Sequence, residues 1–303
     1  MRLARPSPSA IGAGLLGSCA SLFIACAPAL REPPPLSALG GPAGTGAPPA
    51  SVAPPASVAA DVDRLLTDAE ARFGRRPDSQ AVAGAYLAYL AAARANETRV
   101  EGLLGAARAV AWLIEHESSD ARRATLATEG VQVCQWCVTR APSNVACRYR
   151  LALAIGQQTR EHPGTAVDGL KKMMALLKDV IAADPGFDRA GGDRVLALVL
   201  LRAPGWPAGP GDPDEALVHA RRADARVPDD ADNLLVLGEA LAETGAPAEA
   251  RTVYDRAKRL AETRAAAGDP DAAEIVQSAV RLIRKLGGTA SGSPDAVLPI
   301  VNR

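Results

Sequence analysis

The sequence predicts an all-α protein, a stack of antiparallel helical hairpins with about eleven helices. Hydrophobic residues make up 48% of the 303 residues but aromatic residues only 3%, so Ala and Leu supply most of the apolar side chains. This composition favours close-packed helices over a β-sandwich or barrel. From Asp61 onward, apolar residues recur at helical spacing and no long stretch alternates with a period of two.

Residues 1–25 predict a lipoprotein signal peptide. Arg2 and Arg5 precede an apolar run over residues 10–25, which is shorter than the roughly 20 residues of a membrane span but suits a secretory signal. The run ends at Cys26, in a context similar to a bacterial lipobox, so Cys26 is the predicted lipid anchor. Cys19 is the alternative anchor, and an ordinary cleaved signal or an uncleaved anchor also stays open.

Residues 26–60 predict a disordered tether between the anchor and the folded part. The segment holds nine of the 24 prolines, contains no aromatic residue and has almost no charge. Such a composition cannot bury a core and is typical of an extended linker. The helical domain is expected over residues 61–286, followed by a small, polar and flexible tail over residues 287–303.

A recurring proline indicates internal repeats within the helical domain. Pro142, Pro185 and Pro228 are spaced 43 residues apart, and Pro270 follows 42 residues later. Proline cannot continue a helix but is tolerated in a first turn, so each marks the boundary between two helices. Up to the second of these prolines, helix breaks are predicted at residues 74–77, 96, 118–120, 141–144, 162–164 and 184–186.

The last repeat resembles a tetratricopeptide repeat in detail. The residues that match its spacing are Leu234, Leu237, Gly238 and Leu241 on one helix, and Ala250, Tyr254 and Ala257 on the next. Small residues at 238 and 250 allow two antiparallel helices to approach closely, and Tyr254 is expected to fill the wedge beside them. Gly245 is predicted to make the turn between the two helices.

An extended loop interrupts the preceding repeat. Its first helix is expected over residues 189–202 and its second to begin near Asp212 or Pro213, which leaves a proline- and glycine-rich connection containing Trp206. The prolines stiffen this loop and lower the entropy lost in holding one shape. Trp206 is either a binding contact or a cover over a helix end, and the sequence alone does not decide between the two.

The stretch "RAGGDRVLALVLLRAPGWPAGPGDPDEALVHA" (residues 189–220) is similar to the signature of the TatT family, the T-component lipoproteins of TRAP transporters. The resemblance implies a periplasm-facing lipoprotein that partners a periplasmic solute-binding protein, passes a small apolar ligand through a central pore, and self-associates as a homo-oligomer. It marks the loop as a family hallmark, and the candidate binding residues are Pro204, Trp206, Pro207 and Asp212.

No pattern of catalytic, cofactor-binding or metal-ligating residues stands out. Cys134 and Cys137 form a C-x-x-C within a predicted helix, where they serve either as small core side chains or, through one of them, in a disulfide with Cys147. Zinc would need four ligands and no second cysteine pair is present. The three histidines, at positions 116, 162 and 219, are scattered and are expected on the surface or at helix ends.

The net charge and the predicted cellular location narrow the classes of function that fit the sequence. The chain has 34 basic and 34 acidic residues, so the formal net charge of zero argues against strong attraction to nucleic acid. The sequence therefore predicts a non-enzymatic, lipid-anchored, periplasm-facing protein of the bacterial cell envelope that acts as a transport accessory. The alternative is a generic tetratricopeptide scaffold lipoprotein for envelope protein assembly, without a ligand.

Overall fold

The computed structural model describes residues 56–287, and within that range the regular secondary structure is helical. The helices are α1 (Ala56–Phe73), α2 (Ser79–Ala95), α3 (Glu101–His116), α4 (Asp120–Arg140), α5 (Val145–Glu161), α6 (Ala166–Ala183), α7 (Phe187–Arg202), α8 (Pro213–Arg226), α9 (Ala231–Glu243), α10 (Pro247–Ala266) and α11 (Ala272–Gly287). A short 3-10 turn, Pro163–Thr165, precedes α6. The predicted all-α fold is therefore confirmed.

The predicted helix breaks coincide with connections between the described helices, but both ends of the predicted helical domain differ, since α11 includes Gly287 of the predicted tail. Helix α1 begins at Ala56, inside the segment predicted as tether, so residues 56–60 are helical. The predicted signal peptide with Cys19 and Cys26, the rest of the tether, and residues 288–303 of the tail lie outside the described residues. None of the described helices is both long and apolar enough to cross a membrane.

The prolines of the repeat and the helix caps define where hairpins meet. Pro142, Pro185, Pro228 and Pro270 follow α4, α6, α8 and α10, so each proline closes an even-numbered helix, as predicted. The next helix often starts on a polar cap: the side chain of Asp230 accepts hydrogen bonds from two backbone N–H groups at the start of α9. Gly245 makes the turn after α9 with φ +85°, which favours glycine.

The helices form two layers. Each helix packs against the next in the chain, and the odd-numbered helices also contact one another in series, from α1 with α3 through to α9 with α11. The odd-numbered helices therefore share an inner layer, whereas the even-numbered helices lie outside it. This arrangement is that of a solenoid of stacked hairpins.

The array curves until its first hairpins meet its last helix. Arg76, between α1 and α2, donates hydrogen bonds to both carboxylate oxygens of Asp271. The distance is 3.2 Å from Nε to Oδ1 and 3.3 Å from Nη2 to Oδ2. His116, at the end of α3, lies 2.9 Å from Glu274 of α11. These contacts join residues about 160 and 195 positions apart and bring α3 and α11 together on the inner layer.

Candidate functional site

Backbone hydrogen bonds hold the loop that joins α7 to α8 in one shape. The N–H of Gly211 donates to the carbonyl of Pro204 at 2.8 Å, and the N–H of Asp212 donates to the carbonyl of Leu200 at 3.0 Å. The N–H of Gly209 donates to the carbonyl of Gly205 at 3.1 Å, closing a smaller turn inside the first. The two ends of the loop are therefore joined by hydrogen bonds at the end of α7.

Two of its glycines are required by close approach of the backbone. A Cβ at position 211 would lie 2.2 Å from the carbonyl oxygen of Ala203, and one at position 209 would lie 2.6 Å from that of Pro204. Both distances are well below van der Waals contact with a backbone atom that cannot rotate away. Glycine at these positions is thus a condition for the loop shape.

Trp206 projects from the tip of this loop into solvent. It is 89% exposed, whereas Trp112 and Trp136 are buried at 8% and 7%. The structure therefore does not use Trp206 to cover a helix end, one of the two roles left open by the sequence. Burying a Trp stabilises by several kcal/mol, so an exposed Trp on a well-held loop is a prominent candidate contact.

Two of the other loop residues singled out from the sequence, Asp212 and Pro204, have structural roles. The side chain of Asp212 caps α8, accepting hydrogen bonds at 3.0 Å from the N–H groups of Asp214 and Glu215. Pro204 supplies the carbonyl that closes the loop, and Pro207 follows Trp206 directly. All four residues are exposed, and Trp206 is the large hydrophobic side chain among them.

A buried arginine organises the start of α7. Arg194 is 5% exposed, and its guanidinium donates to the Asp188 carboxylate at 2.9 Å and to the Asn233 side chain at 3.0 Å. Asp188 also accepts a hydrogen bond from the hydroxyl of buried Tyr149 at 2.7 Å. Burial lowers the pKa of Arg194, but the neighbouring Tyr149 and Asp188 outweigh it and raise the pKa overall. The network links α5, α7 and α9.

The same arginine accounts for an unusual backbone. Asp188, Arg189 and Ala190 all adopt positive φ, at 47°, 55° and 62°, in the left-handed region that costs a non-glycine residue free energy. Nη1 of Arg194 donates to the carbonyl oxygens of Asp188 and Arg189, each at 3.2 Å. These hydrogen bonds and the buried ion pair offset the conformational cost, and the regular part of α7 starts at Gly191.

His219 corrects an expectation from the sequence. It is 8% exposed in the middle of α8, and its Nδ1 lies 2.7 Å from the buried carboxylate of Asp193 on α7. Histidines were expected on the surface or at helix ends, which describes His162 after α5 but is wrong for His219. A carboxylate on the facing helix explains the burial, because it satisfies the ring nitrogen.

The residues that carry the resemblance over 189–220 therefore divide into two groups. Arg189, Gly191, Asp193, Arg194 and His219 hold α7 against its neighbours; a Cβ at Gly191, for example, would lie 2.4 Å from the Tyr149 hydroxyl. Trp206 has no such internal role. The signature thus builds a rigid support and presents one aromatic side chain.

A second polar cluster lies on the inner layer where α3, α5 and α11 meet. Nη1 of Arg160 contacts both carboxylate oxygens of Glu115 at 3.0 Å, and the amide of buried Gln157 donates to Glu115 at 3.1 Å. The ring of His116 stacks on Trp112, with centroids 3.7 Å apart. Next to them is a cavity of about 260 Å³ lined by Glu115, His116, Glu274, Gln277, Ser278 and Arg281.

The cysteines of the fold are buried and near one another. Cys137 of α4 and Cys147 of α5 form a disulfide with Cα atoms 5.4 Å apart, one of the pairings left open by the sequence. Cys134 is a free, buried thiol whose pKa is raised to about 12 by burial, so it is a poor nucleophile. Within residues 56–287 no group of three or more His, Cys, Asp or Glu is placed to hold a metal ion.

Comparison with known proteins supports the repeat. A tetratricopeptide repeat model matches residues 208–268, which span α8 to α10. The crystal structure of TTC0263, a tetratricopeptide protein of Thermus thermophilus, superposes with a TM-score of 0.53 and 18% identity, covering 73% of this chain and 99% of that one. No curated protein sequence matches the chain.

A crystal structure of MamA matches with a TM-score of 0.42 and 17% identity, covering 67% of this chain and 93% of that one. At these identities the likeness shows the fold alone. None of these matches indicates a catalytic family. The chain therefore has a tetratricopeptide-like helical repeat fold.

Proposed function

We propose that this protein is a scaffold that binds a protein partner through the loop that presents Trp206. The observation that carries the proposal is the 89% exposure of this side chain at the tip of a loop closed by its own backbone. Burying a Trp side chain in a partner would contribute about 4–6 kcal/mol before the costs of association. A loop already held in one shape loses little entropy on binding, which lowers those costs.

A finer proposal concerns the identity of the protein partner and the cellular location. The resemblance of residues 189–220 to the TatT signature supports a transport-accessory role beside a periplasmic solute-binding protein of a TRAP system. The lipobox-like context of Cys26 supports a lipid anchor in the bacterial cell envelope, facing the periplasm. On this proposal, the tether over residues 26–55 gives the helical array reach from the membrane, and the Trp206 loop meets the partner.

A generic scaffold for envelope protein assembly is the second candidate. It is favoured by the inner cavity between α3 and α11, because all six residues that line it are polar. None of the lining residues is a large hydrophobic residue of the kind that would favour the small apolar ligand implied by the resemblance. A scaffold that holds proteins and passes no apolar ligand is compatible with such a surface.

The test is binding between the full-length protein in detergent and the TRAP solute-binding protein of the same organism, measured by isothermal titration calorimetry. We expect Trp206→Ala to weaken binding at least tenfold, which is about 1.4 kcal/mol, with an unchanged circular dichroism spectrum. Leu87→Ala is the matched control, because Leu87 is 65% exposed on another hairpin.

Three results would count against these proposals. Equal weakening by both variants would remove the special role of Trp206. Equal affinity of Trp206→Ala and the wild type would remove the loop from the interface. No binding by the wild-type protein would overturn the transport assignment and leave the general scaffold as the better account.

A further inference from the structure

We propose that the cavity between α3 and α11 is a binding site for a small carboxylate, with Arg281 as the cationic residue that receives it. This site is separate from the Trp206 loop and does not depend on the proposed protein contact. It lies on the inner layer, where the curvature of the array brings the end of α3 against the last helix.

One face of α11 supplies most of the cavity wall. Glu274, Ser278 and Arg281 are separated by four and three residues, so they follow one another along a single face of the helix. Gln277 borders the same cavity from α11, and Glu115 and His116 border it from α3. The wall thus includes hydrogen-bond donors and acceptors from both helices.

Both carboxylates on the wall are already engaged by protein partners. The Glu115 carboxylate is held by the guanidinium of Arg160 and the amide of Gln157. Oε1 of Glu274 lies 2.9 Å from Nε2 of His116. Both carboxylates therefore already have a partner in the protein, and the charge of Glu274 is compensated while His116 is protonated.

Arg281 differs from the two carboxylates because its charge has no such partner within residues 56–287. Its Nη2 donates to the hydroxyl oxygen of Ser278 at 2.8 Å, and it makes no ion pair with another described residue. The remaining N–H groups of the guanidinium form a planar fork that matches a carboxylate with two parallel hydrogen bonds. The amide of Gln277 and the hydroxyl of Ser278 lie next to it as neutral donors.

The volume of the cavity suits a small ligand. About 260 Å³ has room for several water-sized groups, since a cavity needs only about 10–15 Å³ to hold one water. A short free carboxylic acid such as butyrate fits this space. The polar wall sets this ligand class apart from the apolar ligand that the resemblance to TatT implies.

The test uses butyrate and its uncharged analogue butyramide, titrated by ligand-observed NMR into the full-length protein at constant ionic strength. We expect saturable binding of butyrate and none of butyramide, because the guanidinium fork requires the anion. Arg281→Gln should weaken butyrate binding at least tenfold. Arg284→Gln is the matched control, because Arg284 is an exposed basic residue on the same helix but not part of the cavity wall.

Melting temperatures of both variants should stay close to that of the wild type, since both side chains are exposed. The proposal is overturned if the wild type shows no saturable binding, if butyramide binds as well as butyrate, or if Arg281→Gln binds butyrate with unchanged affinity. Equal weakening by Arg284→Gln would also overturn it, because the effect would then reflect general charge.

Discussion

Gly238 of α9 and Tyr254 of α10 fit against each other so closely that no side chain can be added between them. A Cβ at position 238 would lie 2.4 Å from Cε1 of the Tyr254 ring. The first hairpins repeat the relationship, since a Cβ at Gly105 of α3 would lie 2.3 Å from Cε1 of Tyr89 of α2. In both places a glycine on an inner helix accommodates a tyrosine from the adjacent outer helix.

Gly238→Ala should therefore destabilise the protein, although alanine is the better helix former. The ring of fully buried Tyr254 would have to move, and overpacking of this kind costs about 1–3 kcal/mol. The measurement is the free energy of unfolding from urea titration followed by circular dichroism. Gly130→Ala is the control, because the nearest atom to its Cβ, Cγ1 of Val110, lies at 3.4 Å.

Gly130→Ala should be neutral or should stabilise the protein by up to about 1 kcal/mol, through the higher helix propensity of alanine. A loss of stability shared equally by the two variants would contradict the close fit of Gly238 with Tyr254. It would indicate that glycine is needed in these helices for some other reason.

Arg194→Lys should be among the most destabilising conservative substitutions in this chain. Lysine retains the charge but not the planar fork, so the hydrogen bonds that Arg194 makes to Asp188, Asn233 and the left-handed backbone cannot all be kept. Breaking a buried network of this kind costs about 3–5 kcal/mol. The free energy of unfolding in urea again measures the effect.

Arg202→Lys provides the comparison on the same helix. Arg202 contacts Glu239 at 3.3 Å, and both side chains are about one fifth exposed, so this substitution should cost less than about 1 kcal/mol. If the two substitutions cost the same, the left-handed start of α7 does not depend on the fork of Arg194.

The repeat could be predicted from sequence because its determinants are local. A proline after each even-numbered helix and the small-residue spacing around Gly238 both act between neighbouring helices. The residues predicted to pack the last unit, Leu234, Leu237, Gly238, Leu241, Ala250, Tyr254 and Ala257, are all buried in the structure. Local pattern and tertiary packing therefore agree in this part of the chain.

The polar sites could not be predicted in the same way, because they depend on distant contacts. Whether α3 meets α11 depends on curvature accumulated over the whole array, which no local pattern encodes. The left-handed turn at Asp188 was missed because non-glycine residues rarely adopt it, and its support comes from Arg194 and from α9. His219 was missed because its partner, Asp193, lies on another helix.

The contact between His116 and Glu274 should make stability depend on pH. Nδ1 of His116 lies 2.8 Å from the carbonyl oxygen of Trp112, and Nε2 lies 2.9 Å from the Glu274 carboxylate. Both partners are acceptors, so both contacts are hydrogen bonds only when the ring carries two protons. The hydrogen bond to Glu274 accordingly raises the pKa of His116 above its ordinary value of 6.5, and the charge of Glu115 acts in the same direction.

A raised folded-state pKa means that the folded protein binds the proton more tightly than the unfolded chain does. The stability from His116 is therefore fully present below about pH 6.5 and is lost as the pH rises through the raised pKa. We expect the difference in urea midpoint between the wild type and His116→Gln to shrink from about pH 5.5 to about pH 8.5. Taking this difference removes the contributions of His162 and His219, and a difference that stays constant with pH would rule out the doubly protonated ring.

The shape of the Trp206 loop can be tested apart from the tryptophan itself. In Gly211→Ala, the new Cβ would lie 2.2 Å from the carbonyl oxygen of Ala203, so the backbone must shift and the hydrogen bond from residue 211 to Pro204 is lost. If binding requires a preorganised Trp206, this variant should weaken partner affinity about as much as Trp206→Ala, although the indole remains. Iodide quenching of fluorescence reports whether Trp206 is still exposed, since Trp112 and Trp136 are buried. If Gly211→Ala alters the quenching but leaves the affinity for the partner unchanged, the partner contacts the tryptophan without requiring the shape of the loop.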